Sequence, residues 1–127
     1  MPSGISDTLT QWLTAINAHD TAGLSALMDT NFVFVDSLSN RISGAESMEA
    51  GWRGYFAMCP DFWVRADHTM AEGDTMLIAG EAGGTINGES WRTPSAWLAV
   101  FRDGRLAEWR VFADNKPVYE ILARRQP

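Results

Sequence analysis

The sequence contains very little cysteine and histidine. Among its 127 residues are one cysteine, Cys59, and two histidines, His19 and His68. One cysteine excludes an internal disulfide and argues against a cysteine-based metal cluster. Two separated histidines without closely spaced carboxylates make a poor zinc or iron site. We therefore expect no metal and no cofactor.

Basic clusters and long apolar runs are also absent from the sequence. Ten Lys and Arg against sixteen Asp and Glu give a net charge of −6, so no nucleic-acid partner is expected. No segment approaches the ~20 apolar residues of a membrane span, and the first residues lack the features of a signal peptide. We expect one cytoplasmic domain over residues 1–127 without a membrane partner.

Aromatic residues, in contrast, are abundant. The six tryptophans and six phenylalanines exceed what the core of so short a chain needs. They indicate an aromatic-lined cavity, an aromatic interface, or both.

The apolar pattern changes from helical to alternating along the chain. Helical spacing predicts helices over 5–18, 21–28 and 45–58, with a short tail helix at the end. Alternating patterns predict strands over 32–36, 62–71, 74–82, 89–101 and 105–113. Residues 37–43 are predicted to form a polar loop. The strand breaks are expected at Glu72-Gly73-Asp74, at either Gly83-Gly84 or Asn87-Gly88, and at Asp103-Gly104.

This order of elements predicts an α+β fold. Short connections between the last four strands favour an antiparallel meander, and the helices would cover one side of it. A sheet that curls around the first and third helices forms a cone with an open mouth.

The last strand presents two different faces. Side chains alternate along a strand, so Arg110, Phe112 and Asp114 share one face, while Trp109 and Val111 share the other. An arginine and a carboxylate flanking a phenylalanine suggest a polar site in an aromatic wall. We expect this first face to look into the cavity.

A set of short motifs, taken together and in order, resembles a known superfamily. The order resembles that of the nuclear transport factor 2-like proteins, and within them the SnoaL-like polyketide cyclases and the ketosteroid isomerases. The resemblance covers nearly the whole chain. Its landmarks are Ala18-His19-Asp20, Phe34-Val35-Asp36 before a loop and Gly44, Trp52 to Phe56, Pro60-Asp61, Glu72-Gly73-Asp74, and Phe101 to Trp109 leading to Asp114.

The resemblance implies a cone-shaped, curved antiparallel β-sheet wrapped around N-terminal helices, also described as a cystatin-like α+β barrel. It places the general base of ketosteroid isomerases at Asp36 and the acid/base aspartate of SnoaL-like cyclases at Asp114. The oxyanion donors of ketosteroid isomerases fall approximately at Trp12 and Trp97. Both offer only an indole N–H, which argues against a steroid isomerase.

The two aspartates allow two interpretations. Together in a dry cavity, Asp36 and Asp114 could divide the roles of acid and base, while Arg110 could pin Asp114 or clamp a substrate oxygen. Alternatively, Asp36 starts a turn and Asp114 caps the tail helix through its side-chain oxygen. Pro117 shortly afterwards suits a first helical turn.

The remaining site predictions concern the cavity wall. His68 shares a predicted face with Val64 and Ala66, where it could carry protons or be structural. His19, at a helix end, is expected to be a surface or capping group. The residues expected to contact a ligand are Trp12, Phe34, Trp52, Tyr55, His68, Trp97, Phe101, Arg110 and Phe112.

The convex face of the sheet is expected to form a homodimer. The resemblance places Trp97, Ala99 and Phe101 on the concave face, which would leave Trp109 and Val111 on the convex one. A large exposed aromatic needs covering, and two-fold dimers through this face are common in the superfamily.

We expect a cofactor-independent isomerase, cyclase or hydratase that uses aspartates for acid/base chemistry on an apolar small molecule. The alternative is a non-catalytic ligand-binding or protein-interaction module of the same fold. The resemblance supports both, since the same cone hosts enzymes and non-catalytic binders.

Overall fold

The computed structural model describes residues 3–124, which form helices and one sheet in the predicted α+β order. The elements are α1 (Ser3–Ala18), α2 (Thr21–Leu27), β1 (Met28–Val35), β2 (Arg41–Ser43), α3 (Ala45–Met58), β3 (Trp63–Glu72), β4 (Thr75–Ile86), β5 (Glu89–Arg102), β6 (Arg105–Ala113) and α4 (Lys116–Arg124).

The helices form where the apolar spacing predicts them. Helix α3 has the predicted bounds, and it buries Met48, Trp52 and Phe56 on one face at intervals of four residues. Asp20 is the N-cap of helix α2, and its carboxylate accepts a hydrogen bond from the N–H of Gly23 at 3.0 Å. Such caps satisfy backbone donors that have no partner within the helix.

The six strands form one curved, unclosed sheet in the order β2-β1-β6-β5-β4-β3. Strands β3 to β6 make the predicted antiparallel meander, but β1 joins it through a parallel pair with β6. Strand β2 is a correction, because the segment predicted as polar loop pairs with β1, with Val33 opposite Ser43.

The turn after β4 lies at the later of the two predicted positions. Strand β4 continues through Gly83 and Gly84 to Ile86. The turn uses Asn87 and Gly88, with φ values of 55° and 82°. Asparagine and glycine tolerate this left-handed conformation, which explains the choice of turn.

The core lies between α1, α3 and the concave face of the sheet. Trp12 is at its centre, with ring centroids 5.9 Å from Phe32 and 5.6 Å from Trp109. At the free edge of β3, the Asn17 side chain donates to the carbonyl of Val64 and accepts from its N–H. That side chain therefore satisfies the edge backbone and holds α1 against the sheet.

None of the helices within residues 3–124 is both long and apolar enough to span a membrane.

Candidate functional site

A cavity of about 330 Å³ opens between α3, the concave face of the sheet and α4. This volume lies within the ~300–1,000 Å³ range of small-molecule sites. Helix α4 covers one end by packing Val118 and Ile121 against Ile86 and Trp91. We call this space the aromatic cavity, because eight rings line it: Phe34, Trp52, Tyr55, Phe62, Trp91, Trp97, Trp109 and Tyr119.

Strand register determines which side chains reach the aromatic cavity. Trp97 pairs with Val111 and Ala99 pairs with Trp109, and directly opposite residues point to the same side of a sheet. The parallel partner of Trp109 is Phe34. We call this side the inner face. The predicted concave position of Trp97 and Ala99 is confirmed.

The placement of Trp109 and Val111 on the convex face is therefore wrong. Trp109 is 1% exposed and stacks on Trp97 with centroids 5.9 Å apart. Val111 lines the aromatic cavity. The physical reason is the pairing of Val111 with Trp97 and of Trp109 with Ala99, since cross-strand partners cannot point to opposite sides.

Arg110 and Phe112 consequently lie on the other side of the sheet, which we call the outer face. Phe112 is 50% exposed. The Nε of Arg110 donates to an oxygen of Glu108 on the same face at 3.1 Å. The prediction that these two residues contact the ligand is wrong, because the side chains of β6 alternate the other way. Trp109 and Val111 face the cavity, so Arg110 and Phe112 face away from it.

Asp36 directly follows β1 and lines the aromatic cavity. One carboxylate oxygen accepts from the N–H groups of Leu38 and Asn40, each at 2.9 Å. The other accepts from Nδ2 of Asn40 at 3.0 Å. Asp36 therefore starts a turn, as the second interpretation predicts, and it also faces the cavity.

Asp114 has the capping geometry and does not line the cavity. It is exposed, and its Oδ1 accepts from the N–H of Lys116 in the first turn of α4 at 3.1 Å. It lies in a shallow outer groove with Lys116 and Glu120. The predicted pair of cavity carboxylates is thus not formed.

Three further predicted ligand contacts lie elsewhere. Trp12 and Phe101 are core residues, 0% and 3% exposed. His68 is exposed, because the β3–β4 register shifts between Ala66 and His68. Such a bulge inserts one residue and reverses the alternation of the strand.

Tyr55 is a buried phenol in the cavity wall. Burial, followed by the nearby Cys59 thiol and Tyr119 phenol, raises the pKa of Tyr55 well above its usual 10.0. Burial also raises the pKa of the Cys59 thiol. Tyr55 therefore remains a neutral hydroxyl that can donate a hydrogen bond to a ligand.

The mouth of the cavity lies where the Asp36 loop meets the start of α4. Nδ2 of Asn115 donates to Oγ of Ser37 at 3.0 Å. Both residues line the aromatic cavity and the outer groove, as do Ala113 and Tyr119. These four residues lie at the boundary between the two spaces.

The structure thus brings five predicted residues together and adds others. Trp91 was missed although it shares strand parity with Trp97, a signal visible in the sequence. Tyr119 was missed because nothing in the sequence indicates how α4 docks. The five predicted residues that line the cavity are Phe34, Asp36, Trp52, Tyr55 and Trp97.

Comparison with known proteins yields a family and a set of structural neighbours. The model of the SnoaL-like domain family matches residues 9–109. No curated protein matches the sequence. One structural neighbour is a protein of Jannaschia sp. CCS1 that is named as a SnoaL-like polyketide cyclase. It has a TM-score of 0.84 at 18% sequence identity, and the match covers 98% of this chain and 94% of the neighbour.

Two other neighbours carry different names. An LEH-like epoxide hydrolase of M. tuberculosis has a TM-score of 0.81 at 20% identity, covering 97% of this chain and 91% of its own. A Catenulispora acidiphila protein with a ketosteroid isomerase-like fold, solved with trimethylamine, has a TM-score of 0.76 at 21% identity, with 82% of each chain covered. At these identities the likeness establishes the fold alone.

Proposed function

The chain belongs to the SnoaL-like domain family, and from this premise we propose that it binds a small, largely apolar molecule in the aromatic cavity and that Asp36 performs acid/base chemistry on it. One observation carries the proposal. Among the residues that the structure describes, the cavity of about 330 Å³ is lined by eight aromatic rings and by a single carboxylate, that of Asp36. Apolar walls with few polar groups are typical of sites that bind and orient small molecules.

The surroundings of Asp36 suit a fixed base. Three hydrogen bonds from its own loop hold the carboxylate in one orientation. A carboxylate has roughly four acceptor positions, so about one position remains for a substrate proton or a water molecule. A base held in place next to its substrate removes a proton without first being reoriented.

Tyr55 can donate a hydrogen bond inside the cavity. Arg110, which was expected to contact a substrate oxygen, lies on the outer face and cannot do so. The Tyr55 hydroxyl remains protonated because burial raises its pKa. A neutral donor in an apolar cavity can stabilise negative charge that develops on a substrate oxygen. Asp36 as base and Tyr55 as donor make proton transfer next to a carbonyl, or addition of water, the reaction classes that this cavity supports.

Proton exchange on a bound ketone tests the assignment of Asp36. We expect the protein to accelerate exchange of the α-protons of a bicyclic ketone such as 1-decalone with deuterated water, followed by NMR. Asp36→Asn should lower the rate by about 100-fold or more, while quenching of tryptophan fluorescence reports retained binding. Asp114→Asn is the matched control and should keep the wild-type rate.

Two outcomes would contradict the catalytic proposal. Wild-type exchange in the Asp36→Asn variant would remove Asp36 as the base. Binding of the ketones and of cyclic epoxides without any turnover would favour a ligand-binding module, in which Asp36 serves only its loop. The Catenulispora acidiphila neighbour was solved with trimethylamine, so small amines also belong in the ligand panel.

We further propose that two copies associate through the outer face. Its exposed apolar side chains include Met70, Leu77 and Phe112. The pairing of Met70 with Leu77 and of Leu77 with Leu98 makes a continuous row across three strands. The Arg110–Glu108 pair lies beside this row. In a two-fold interface the arginine of each copy can meet the glutamate of the other.

A further inference from the structure

The aromatic cavity has an unbalanced charge. Of its described lining residues, Asp36 alone is acidic and none is a lysine, arginine or histidine. We infer that the ligand of this cavity carries a cationic tertiary or quaternary ammonium group, seated between the carboxylate of Asp36 and the tryptophan rings. The inference deepens the proposed ligand-binding function and rests on it.

The charge of Asp36 has no cationic partner in the part of the chain that the structure describes. Its three hydrogen bonds come from two backbone N–H groups and one side-chain amide, which are dipoles without net charge. Six other acidic side chains are each paired with an arginine. Those six are Asp29, Glu49, Asp67, Glu81, Glu89 and Glu108.

An unpaired carboxylate beside aromatic rings favours a cationic ligand. A cation seated there would gain Coulomb attraction from the carboxylate together with attraction from the ring faces. An anionic ligand would be repelled by Asp36. The net charge of −6 adds to the selection, since an acidic protein raises the local concentration of cations.

The aromatic composition of the wall fits the same ligand class. Four of the eight lining rings are tryptophans, the side chains that bind cations most strongly through their ring faces. They come from α3, β5 and β6, so they line more than one side of the space. Proteins recognise quaternary ammonium groups with aromatic rings gathered around the cation. The four are Trp52, Trp91, Trp97 and Trp109.

The hydrogen bonds of Asp36 separate the classes of amine. A primary ammonium has three N–H donors to satisfy. Asp36 already accepts three hydrogen bonds, which leaves about one of its roughly four acceptor positions. A tertiary ammonium would take that one position, whereas a quaternary ammonium needs none and leaves it to the acid/base role of Asp36. The alkylated cations are therefore the better match.

A pair of isosteric probes tests the inference. Phenyltrimethylammonium and tert-butylbenzene have nearly the same shape, and carbon replaces the charged nitrogen in the second. We expect the cation to bind the full chain more tightly than the neutral probe, by on the order of tenfold. Quenching of tryptophan fluorescence measures both dissociation constants under identical conditions.

Two variants assign the preference to Asp36. Asp36→Asn should weaken binding of the cation by on the order of tenfold and leave the neutral probe unchanged. Ala113→Lys adds a positive charge at the mouth without altering the Asp36 loop, and it should also weaken binding of the cation. Asp67→Asn removes a carboxylate on the exposed part of β3 and should change neither affinity.

The outcomes separate this inference from the function on which it rests. Equal affinities, or tighter binding of tert-butylbenzene, would overturn the cationic ligand and leave a ligand-binding cavity in place. A preference for the cation that survives both charge-changing variants would also overturn it. Failure of both probes to bind would remove the proposed ligand-binding function itself.

Discussion

At the scale of single residues, Tyr55 couples the cavity wall to the pH dependence of stability. Burial raises the pKa of this phenol above its usual 10.0, and burial also raises the pKa of the Cys59 thiol above 9.0. The unfolded chain therefore releases these protons at lower pH than the folded chain does. The stability that follows from these two raised pKa values is fully present below pH 9.0. It is lost as pH rises through the pKa values that the two groups have in the folded chain.

We expect the free energy of unfolding to fall between about pH 9 and about pH 11. Tyr55→Phe removes the phenol, so its stability should decline less steeply above about pH 10 than that of the wild type. Urea unfolding in a series of buffers measures the slope. Tyr119→Phe changes a 42% exposed phenol and removes only the smallest of the three causes of the raised pKa of Tyr55, so its slope should change less than that of Tyr55→Phe. An unchanged slope in Tyr55→Phe would contradict the assignment.

Asp36 shows what a sequence can establish about one residue. A turn at its position and a place in the cavity wall were alternatives in the sequence, and the structure combines them. Asp114 had the same two alternatives, but its carboxylate accepts a hydrogen bond from the N–H of Lys116 at the start of α4. Asp36 and Asp114 are both aspartates at the end of a predicted strand, so the local sequence does not distinguish them. The docking of α4 does.

At the scale of elements, one glycine accommodates the bulge in β3. A Cβ at Gly80 would overlap the carbonyl oxygen of Arg65, one residue before the register shift between Ala66 and His68. Two backbones that approach so closely leave room only for glycine. The bulge and the glycine opposite it therefore depend on each other.

Two glycine-to-alanine variants test this contact. Gly80→Ala should lower the free energy of unfolding by about 1–3 kcal/mol or more, because overpacked sites force the backbone to shift. Gly54→Ala is the control. Gly54 lies inside α3 with nothing within 4 Å of its added Cβ, and the change should stabilise the helix by about 0.5–1 kcal/mol. Wild-type stability of Gly80→Ala in urea would contradict the close approach.

The types of the elements were predictable from the sequence, but the sheet faces that some strand side chains occupy were not. Helix α3 was predicted with its exact bounds because its apolar spacing is a local property. The side-chain phase of β3 beyond Asp67 depends on one inserted residue, so His68 was placed on the wrong face. The phase of β6 depends on the pairing of Val111 with Trp97, which no local pattern records.

At the scale of the whole molecule, the sheet separates two surfaces with different chemistry. The inner face gives its aromatic side chains to the core and to the cavity. The outer face combines apolar side chains, among them Leu77 and Phe112, each 50% exposed, with the Arg110–Glu108 pair. The sequence predicted a dimer through this face with Trp109 on it, whereas the structure places Phe112 there instead.

The proposed dimer makes the outer face the place where assembly can be changed without altering the cavity. A stable interface buries roughly 800 Å² on each partner, and a charge at its apolar centre is strongly unfavourable because it loses its water. Leu77→Asp and Phe112→Asp should each convert a species of twice 14.0 kDa into the monomer, measured by sedimentation velocity. Leu38→Asp changes an exposed leucine in the Asp36 loop and should leave the assembly intact. Interfaces of that area have Kd values from about µM to pM. A wild-type protein that sediments as a monomer at about 100 µM would therefore refute the interface, whereas the cavity and its ligand would be unaffected.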